Sequence, residues 1–128
     1  MVYKKVDLDK VRQQAAHIRL LVLDVDGVLT DGRLQYDAQG RECKVFHVRD
    51  GYGIRQLIDA GFSIALISGR QSVPVEKRAE ELGIQHVYLG VTDKVSVLKK
   101  LAQKLKIDMA NIAFVGDDAP DIGCLQAA

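Results

Sequence analysis

An α/β fold with a mostly parallel sheet is predicted, and three features of the chain predict it. Short apolar, β-branched runs alternate with segments whose apolar residues recur at helical spacing. Two of these runs, RLLVLDV (19–25) and FSIALIS (62–68), are apolar at consecutive positions, as strands are when both faces are covered. No long linker, repeat or low-complexity segment divides the 128 residues, a length at which roughly two-thirds of the unfolded surface is buried in one core. Together they imply one domain of three layers, Rossmann-like, with helices on both faces of the sheet.

Each element follows from its local pattern. Residues 7–17 have amphipathic helical spacing. The first strand, 19–25, is the central one because Leu20–Leu23 are apolar at consecutive positions. LQYD (34–37) and CKVFHV (43–48) alternate with period two around the turn AQGR, which predicts a β-hairpin inserted after strand one. Helical spacing resumes from Tyr52 to Ala60 and Gly61 stops it. The second strand, 62–68, ends on Ser68 before Gly69. Residues 73–82 form a helix closed by Gly83, HVYLG (86–90) a strand, 93–105 a lysine-studded helix, and NIAFVG (111–116) a last strand.

Composition excludes several functions. Eighteen basic residues against 17 acidic ones leave a net charge of +1, so neither a general nucleic-acid surface nor an anionic-membrane surface is predicted. Cys43 and Cys124 are too few for a disulfide framework and have no CxxC or Cys/His metal spacing, which points to reduced thiols and a cytoplasmic setting. The N-terminal MVYKKVDLDKVRQQAAHI has no apolar stretch of signal-peptide or membrane-spanning kind.

A parallel sheet places all its strand C-termini along one edge, where ligands bind. That edge collects Asp24 and Asp26 after strand one, Ser68 and Arg70 after strand two, Lys94 after strand three, and Asp117, Asp118 and Asp121 after strand four. Converging carboxylates repel one another and lose solvation unless a cation lies between them. An oxygen-only donor set favours Mg²⁺ over Zn²⁺, and Mg²⁺ commonly bridges carboxylates to a phosphate. Ser68, Lys94 and Arg70 offer the donors such a phosphate needs. Asp24 is then placed as a nucleophile toward phosphorus and Asp26, beyond the turn toward Gly27, as acid and base. Hydrolysis of a phosphomonoester through an aspartyl-phosphate is the reaction this set predicts.

Plainer readings stand beside these. Ser68 before Gly69 also reads as turn punctuation, Lys94 as a solvated helix-start lysine, and Arg70 as half of a surface ion pair. Asp118 and Asp121 read equally as an N-cap and a first-turn acid of a terminal helix. His47 and His86 receive no role. Asp50–Gly53 is either a helix start or part of a substrate pocket, and Arg55 joins Arg70 as a cation outside the motifs available to a substrate.

DVDGVLTDG, ISGR, Lys94 and VGDDAPD, in this order and spacing, resemble the four motifs of the haloacid dehalogenase superfamily of phosphatases. KVFHVRDGYGIRQL and the connection without a cap domain resemble its subgroup that dephosphorylates 3-deoxy-D-manno-octulosonate 8-phosphate in lipopolysaccharide biosynthesis. The resemblance implies Asp24 as nucleophile, Asp26 as acid and base, and Asp24, the Asp26 carbonyl and Asp117 as Mg²⁺ ligands. It places Ser68 and Lys94 on phosphate, with Asp118 and Asp121 in support. It also implies a homotetramer assembled through the hairpin, and a family chain that continues beyond Ala128 with another strand and a tail, so a C-terminally truncated domain over 1–128 is expected. Acylneuraminate 9-phosphate remains an alternative substrate. A receiver-like phospho-aspartate switch and an idle assembly module remain alternative functions; an acid and base at Asp26 belongs to a turnover enzyme.

Overall fold

The computed structural model describes residues 5–128, so the first four residues of the N-terminal stretch lie outside the described part. The order is α1 (Leu8–Ala15), β1 (Leu20–Leu23), β2 (Gln35–Tyr36), β3 (Glu42–Cys43), α2 (Val48–Asp59), β4 (Ser63–Ile67), α3 (Val73–Leu82), β5 (His86–Tyr88), α4 (Lys94–Leu105), β6 (Ile112–Val115) and α5 (Ile122–Ala127), with 3₁₀ turns at Met109–Asn111 and Ala119–Asp121. The longer strands form one parallel sheet in the order β5-β4-β1-β6, and β2 and β3 form a separate antiparallel ribbon. The predicted fold class holds. Only the ribbon lies between β1 and α2, and no cap domain is inserted there.

Alternation along the strands sends side chains to two cores. Leu20 and Val22 of β1 and Ala65 and Ile67 of β4 pack against Leu98, Leu101 and Ala102 of α4. Leu23 of β1 and Ile64 and Leu66 of β4 pack on the opposite face with Ile54 of α2 and Val75, Ala79 and Leu82 of α3. That double covering is why β1 is apolar at every position. Gly83 closes α3 in the left-handed conformation at φ 73°, as its position predicted.

Two boundaries differ from expectation. Helix α2 begins at Val48 rather than Tyr52, because His47 serves as its N-cap, Nδ1 accepting from the Arg49 N–H at 3.0 Å. Asp50–Gly53 therefore lies within the helix, and buried Gly51 faces α3, where an added Cβ would sit 2.3 Å from the Arg78 guanidinium. That glycine serves helix packing rather than a substrate pocket. The ribbon is also shorter than predicted: pairing stops at Cys43 and residues 44–47 run unpaired into α2.

Leu98, fully buried in the α4 core, is one of the residues that anchor the helix carrying Lys94. Leu98→Ala is expected to cost about 2–5 kcal/mol, measured as a lowered denaturant midpoint with unchanged slope.

Candidate active site

The strand order sets the geometry of the edge. β1 lies between β4 and β6, so the residue that follows it, Asp24, is flanked by the ends of both. The Asp24 N–H donates to the Val115 carbonyl at 3.0 Å, continuing the β1–β6 ladder one step and fixing where its side chain leaves the sheet. Ser68, after β4, is held the same way: its N–H donates to Tyr88 O at 2.9 Å and its carbonyl accepts from Val91 at 3.0 Å. Lys94 is the first residue of α4, behind the N-cap Asp93.

All eight sequence-predicted residues line one open cleft of about 460 Å³. Asp24, Ser68, Lys94 and Asp121 are buried, while Asp117 and Asp118 are exposed. Lys94 Nζ lies 2.6 Å from Asp121 Oδ1 and 3.1 Å from Asp24 Oδ1. Burial opposes its charge, but the two carboxylates hold its pKa above the ordinary lysine range. The plainer reading of Lys94 as a solvated lysine is thereby corrected. Burial pushes Asp24 up to about 6, against the Val25 N–H and the Lys94 ammonium, which favour the carboxylate.

Asp118 and Asp121 divide the roles left open between them. Asp121 turns back from the 3₁₀ turn, and Oδ2 accepts from the N–H groups of Asp117 and Asp118 at 3.2 and 3.4 Å while Oδ1 meets Lys94. Those donors and the lysine hold its pKa below the usual carboxylate range despite burial. Gly116 makes this possible, since a Cβ there would lie 2.5 Å from the Asp121 side chain. Asp118 is the N-cap, its carboxylate accepting from Ala119 at 2.7 Å.

Ligand oxygens of Asp24, Asp117 and Asp121 lie within 4.8 Å of one another. Asp121 is already engaged by a cation and two amides, so Asp24 and Asp117 are the carboxylates left for a metal ion. Gly27, at φ 83°, lets the Asp117 carboxylate lie against the loop after β1. The oxygen-only set, with more carboxylates than cations facing it, fits a hard divalent ion such as Mg²⁺.

Arg70 lines the cleft and pairs loosely, with Nε 3.8 Å from Asp26 Oδ2 and its terminal nitrogen 3.5 Å from Glu42 and 3.4 Å from the Tyr36 hydroxyl. Arg55 is not brought to the site; it donates to Leu82 O at 3.0 Å and pairs with Asp59 at 2.7 Å. The cation that sequence reasoning missed is Lys44, whose Nζ lies 2.5 Å from Asp26 Oδ1 and 2.7 Å from Glu42 Oε1. The signal was present in ECKVF: Glu42 and Lys44, two residues apart, project to one side of the chain.

Among solved structures, the chain superposes with a TM-score of 0.93 and 42% identity on 3-deoxy-D-manno-octulosonate 8-phosphate phosphatase from Moraxella catarrhalis, crystallised with magnesium, phosphate and KDO, over 95% of this chain and 70% of that one. The chain belongs to the 3-deoxy-D-manno-octulosonate 8-phosphate phosphatase family. A Legionella pneumophila hydrolase of the haloacid dehalogenase superfamily matches with a TM-score of 0.91 at 41% identity, over 94% of this chain and 66% of that one. The curated phosphatase KdsC of Yersinia pestis is 47% identical over 113 residues, 88% of this chain and 60% of its own, and that of Escherichia coli K12 is 45% identical over 119 residues, 93% and 63%. The chain thus spans about 60% of the length of these curated family members. No protein-family profile matches it.

Removing Asp121 strands Lys94 with a single partner and frees two amides. Asp121→Ala is expected to cost about 3–5 kcal/mol, as when one member of a buried ion pair is deleted, whereas Asp118→Ala should cost only about 1 kcal/mol for a lost cap. Chemical denaturation of the two variants side by side checks the ordering.

Proposed function

We propose that the chain is the catalytic domain of a Mg²⁺-dependent phosphomonoesterase acting on 3-deoxy-D-manno-octulosonate 8-phosphate, working in the cytoplasm in lipopolysaccharide biosynthesis. The observation that carries this reading is the convergence of Asp24, Asp26, Ser68, Lys94 and Asp117 on one cleft, in a chain whose family members bear that activity in their names. Free cysteines and the absence, among the described residues, of any helix able to cross a membrane support the compartment. Residues 1–128 are proposed as a single unit.

Asp24, the Asp26 carbonyl and Asp117 are the proposed metal ligands. A bound Mg²⁺ would neutralise charge on the phosphoryl oxygens and hold the phosphate against the edge. Asp24 supplies the attacking carboxylate oxygen, and Lys94, 3.1 Å from it, lies beside the charge that gathers on the transferring group. Ser68 contributes a hydroxyl donor from a fixed strand end, and Arg70 a guanidinium from the rim. Asp26 gives its proton to the departing oxygen and afterwards takes one from the water that releases phosphate from Asp24. A phospho-aspartate switch needs no such group, and the family membership favours turnover over a switch or an idle module.

The partner proposed for the hairpin is a second copy of the chain, in a homotetramer. Leu34, Tyr36 and Val45 of this region are exposed, as are Val48 and Tyr52 at the start of α2, an apolar group larger than a solvated ribbon would carry singly.

Asp24→Asn should lower kcat at least about a thousandfold with the melting temperature retained, because the nucleophile is lost but not the shape. Wild-type turnover should vanish in excess chelator and return with Mg²⁺. With p-nitrophenyl phosphate, whose leaving group departs without a proton, Asp26→Asn should accumulate an acid-stable phosphoprotein detectable by intact mass; its absence together with full activity would remove Asp26 from the chemistry. Sedimentation should show a tetramer, and Val45→Glu with Tyr36→Glu should dissociate it.

A further inference from the structure

Lys44 is the least expected charge in the molecule. It follows β3 in the hairpin, yet its side chain is only 3% exposed. Burying an ammonium costs several kcal/mol unless its donors are met, and here two carboxylates meet them: Asp26 Oδ1 at 2.5 Å and Glu42 Oε1 at 2.7 Å. Glu42 lies on the same ribbon and would suffice to anchor a lysine locally. The contact with Asp26 instead reaches across 18 residues to the loop after β1.

Lys44 does not line the catalytic cleft. It lines a different, smaller pocket between the loop after β1 and the ribbon, with Thr30, Leu34 and Cys43 among its neighbours. Asp26 does line the cleft, so Lys44 touches the reaction only through that carboxylate. Holding Oδ1 leaves Oδ2, which has only the loose Arg70 contact at 3.8 Å, as the oxygen placed to carry the proton. A carboxylate three residues past a strand end, with no such partner, would sample several side-chain rotamers.

We propose that Lys44 is a positioning residue for Asp26, fixing the carboxylate that protonates the leaving oxygen; the inference rests on the phosphatase reading above. In the first half-reaction an Asp24 oxygen bonds to phosphorus, the ester P–O bond breaks, and the Asp26 proton moves to the departing oxygen, which leaves as an alcohol. Asp26 is left as a carboxylate with Lys44 against it. Glu42, paired to the same ammonium, offsets its charge in the resting site, and Arg70 reaches the same pair from the rim at 3.5 Å from Glu42 and 3.8 Å from Asp26. The hairpin thereby becomes part of the acid and base machinery without contacting substrate.

A lysine that merely fastened the hairpin would affect all substrates alike. A lysine that aims a general acid matters for an alkyl phosphate, whose leaving oxygen needs a proton, and little for p-nitrophenyl phosphate, whose leaving group departs as a stable anion. The measurement is kcat/KM for 3-deoxy-D-manno-octulosonate 8-phosphate divided by kcat/KM for p-nitrophenyl phosphate. This quotient reports the steps up to aryl or alkyl departure and is independent of the fraction of protein folded. Lys44→Met is expected to lower it by about thirtyfold or more, within the range a positioned acid contributes, and Lys44→Gln, which keeps a donor NH₂ group but no charge in the pocket, by about tenfold. An unchanged quotient in either variant, with an active wild type, overturns the role of Lys44 and leaves the phosphatase reading intact. Wild-type protein that hydrolyses neither ester overturns that reading itself.

Discussion

One buried ammonium decides how two acidic loops share an edge. Lys94 stands between Asp24 and Asp121, and among the described residues neither carboxylate has another cation at comparable distance. Two buried carboxylates without it would each carry a desolvation penalty of several kcal/mol and repel one another. With it, Asp121 is pinned deep in the fold, and its second oxygen gathers the amides of Asp117 and Asp118. The shape of the loop after β6, and hence the direction in which Asp117 faces, follows from that one contact.

The sheet makes the contact possible. From β1 the chain builds outward through β4 to β5 and then returns to the other side of β1 with β6. At that reversal the connections leave β1 in opposite directions, which opens a crevice above its end. Ser68 and Asp117 reach Asp24 from the two sides of the crevice, and α4, packed under the sheet by Leu98 and Leu101, presents Lys94 from below. Residues spread over nearly a hundred positions meet because each is the first or second after a strand or opens a helix.

Most of this was legible in the sequence. The doubly covered strands show as unbroken apolar runs, Gly83 marks a left-handed helix end, and the acidic residues fall where strands stop. Two things were not legible, for physical reasons. CKVFHV alternates like a strand, but alternation cannot tell a paired strand from an extended segment whose side chains merely face alternately in and out; His47 then starts the helix early as a cap seldom inferred from a histidine. The division between Asp118 and Asp121 depends on which carboxylate folds back past Gly116, a matter of packing that neither residue type nor spacing encodes.

Charge placement separates the site into two balanced halves and an unbalanced centre. Lys94 answers Asp121, and Lys44 with Arg70 answers Asp26 and Glu42. What remains is Asp24, sharing Lys94 from within the protein, and Asp117, exposed on the far wall. The pairing of the flanks matters because it holds Lys44 and Arg70 on Asp26 and Glu42 and divides Lys94 between Asp121 and Asp24, so the centre keeps an excess of negative oxygen that suits a divalent ion. On the proposed function, a divalent ion bound there would meet that excess and let a phosphate dianion approach. Flanks satisfied by the fold and a centre left to solution are what would let a stable protein hold a site suited to both the proposed cation and the proposed anion.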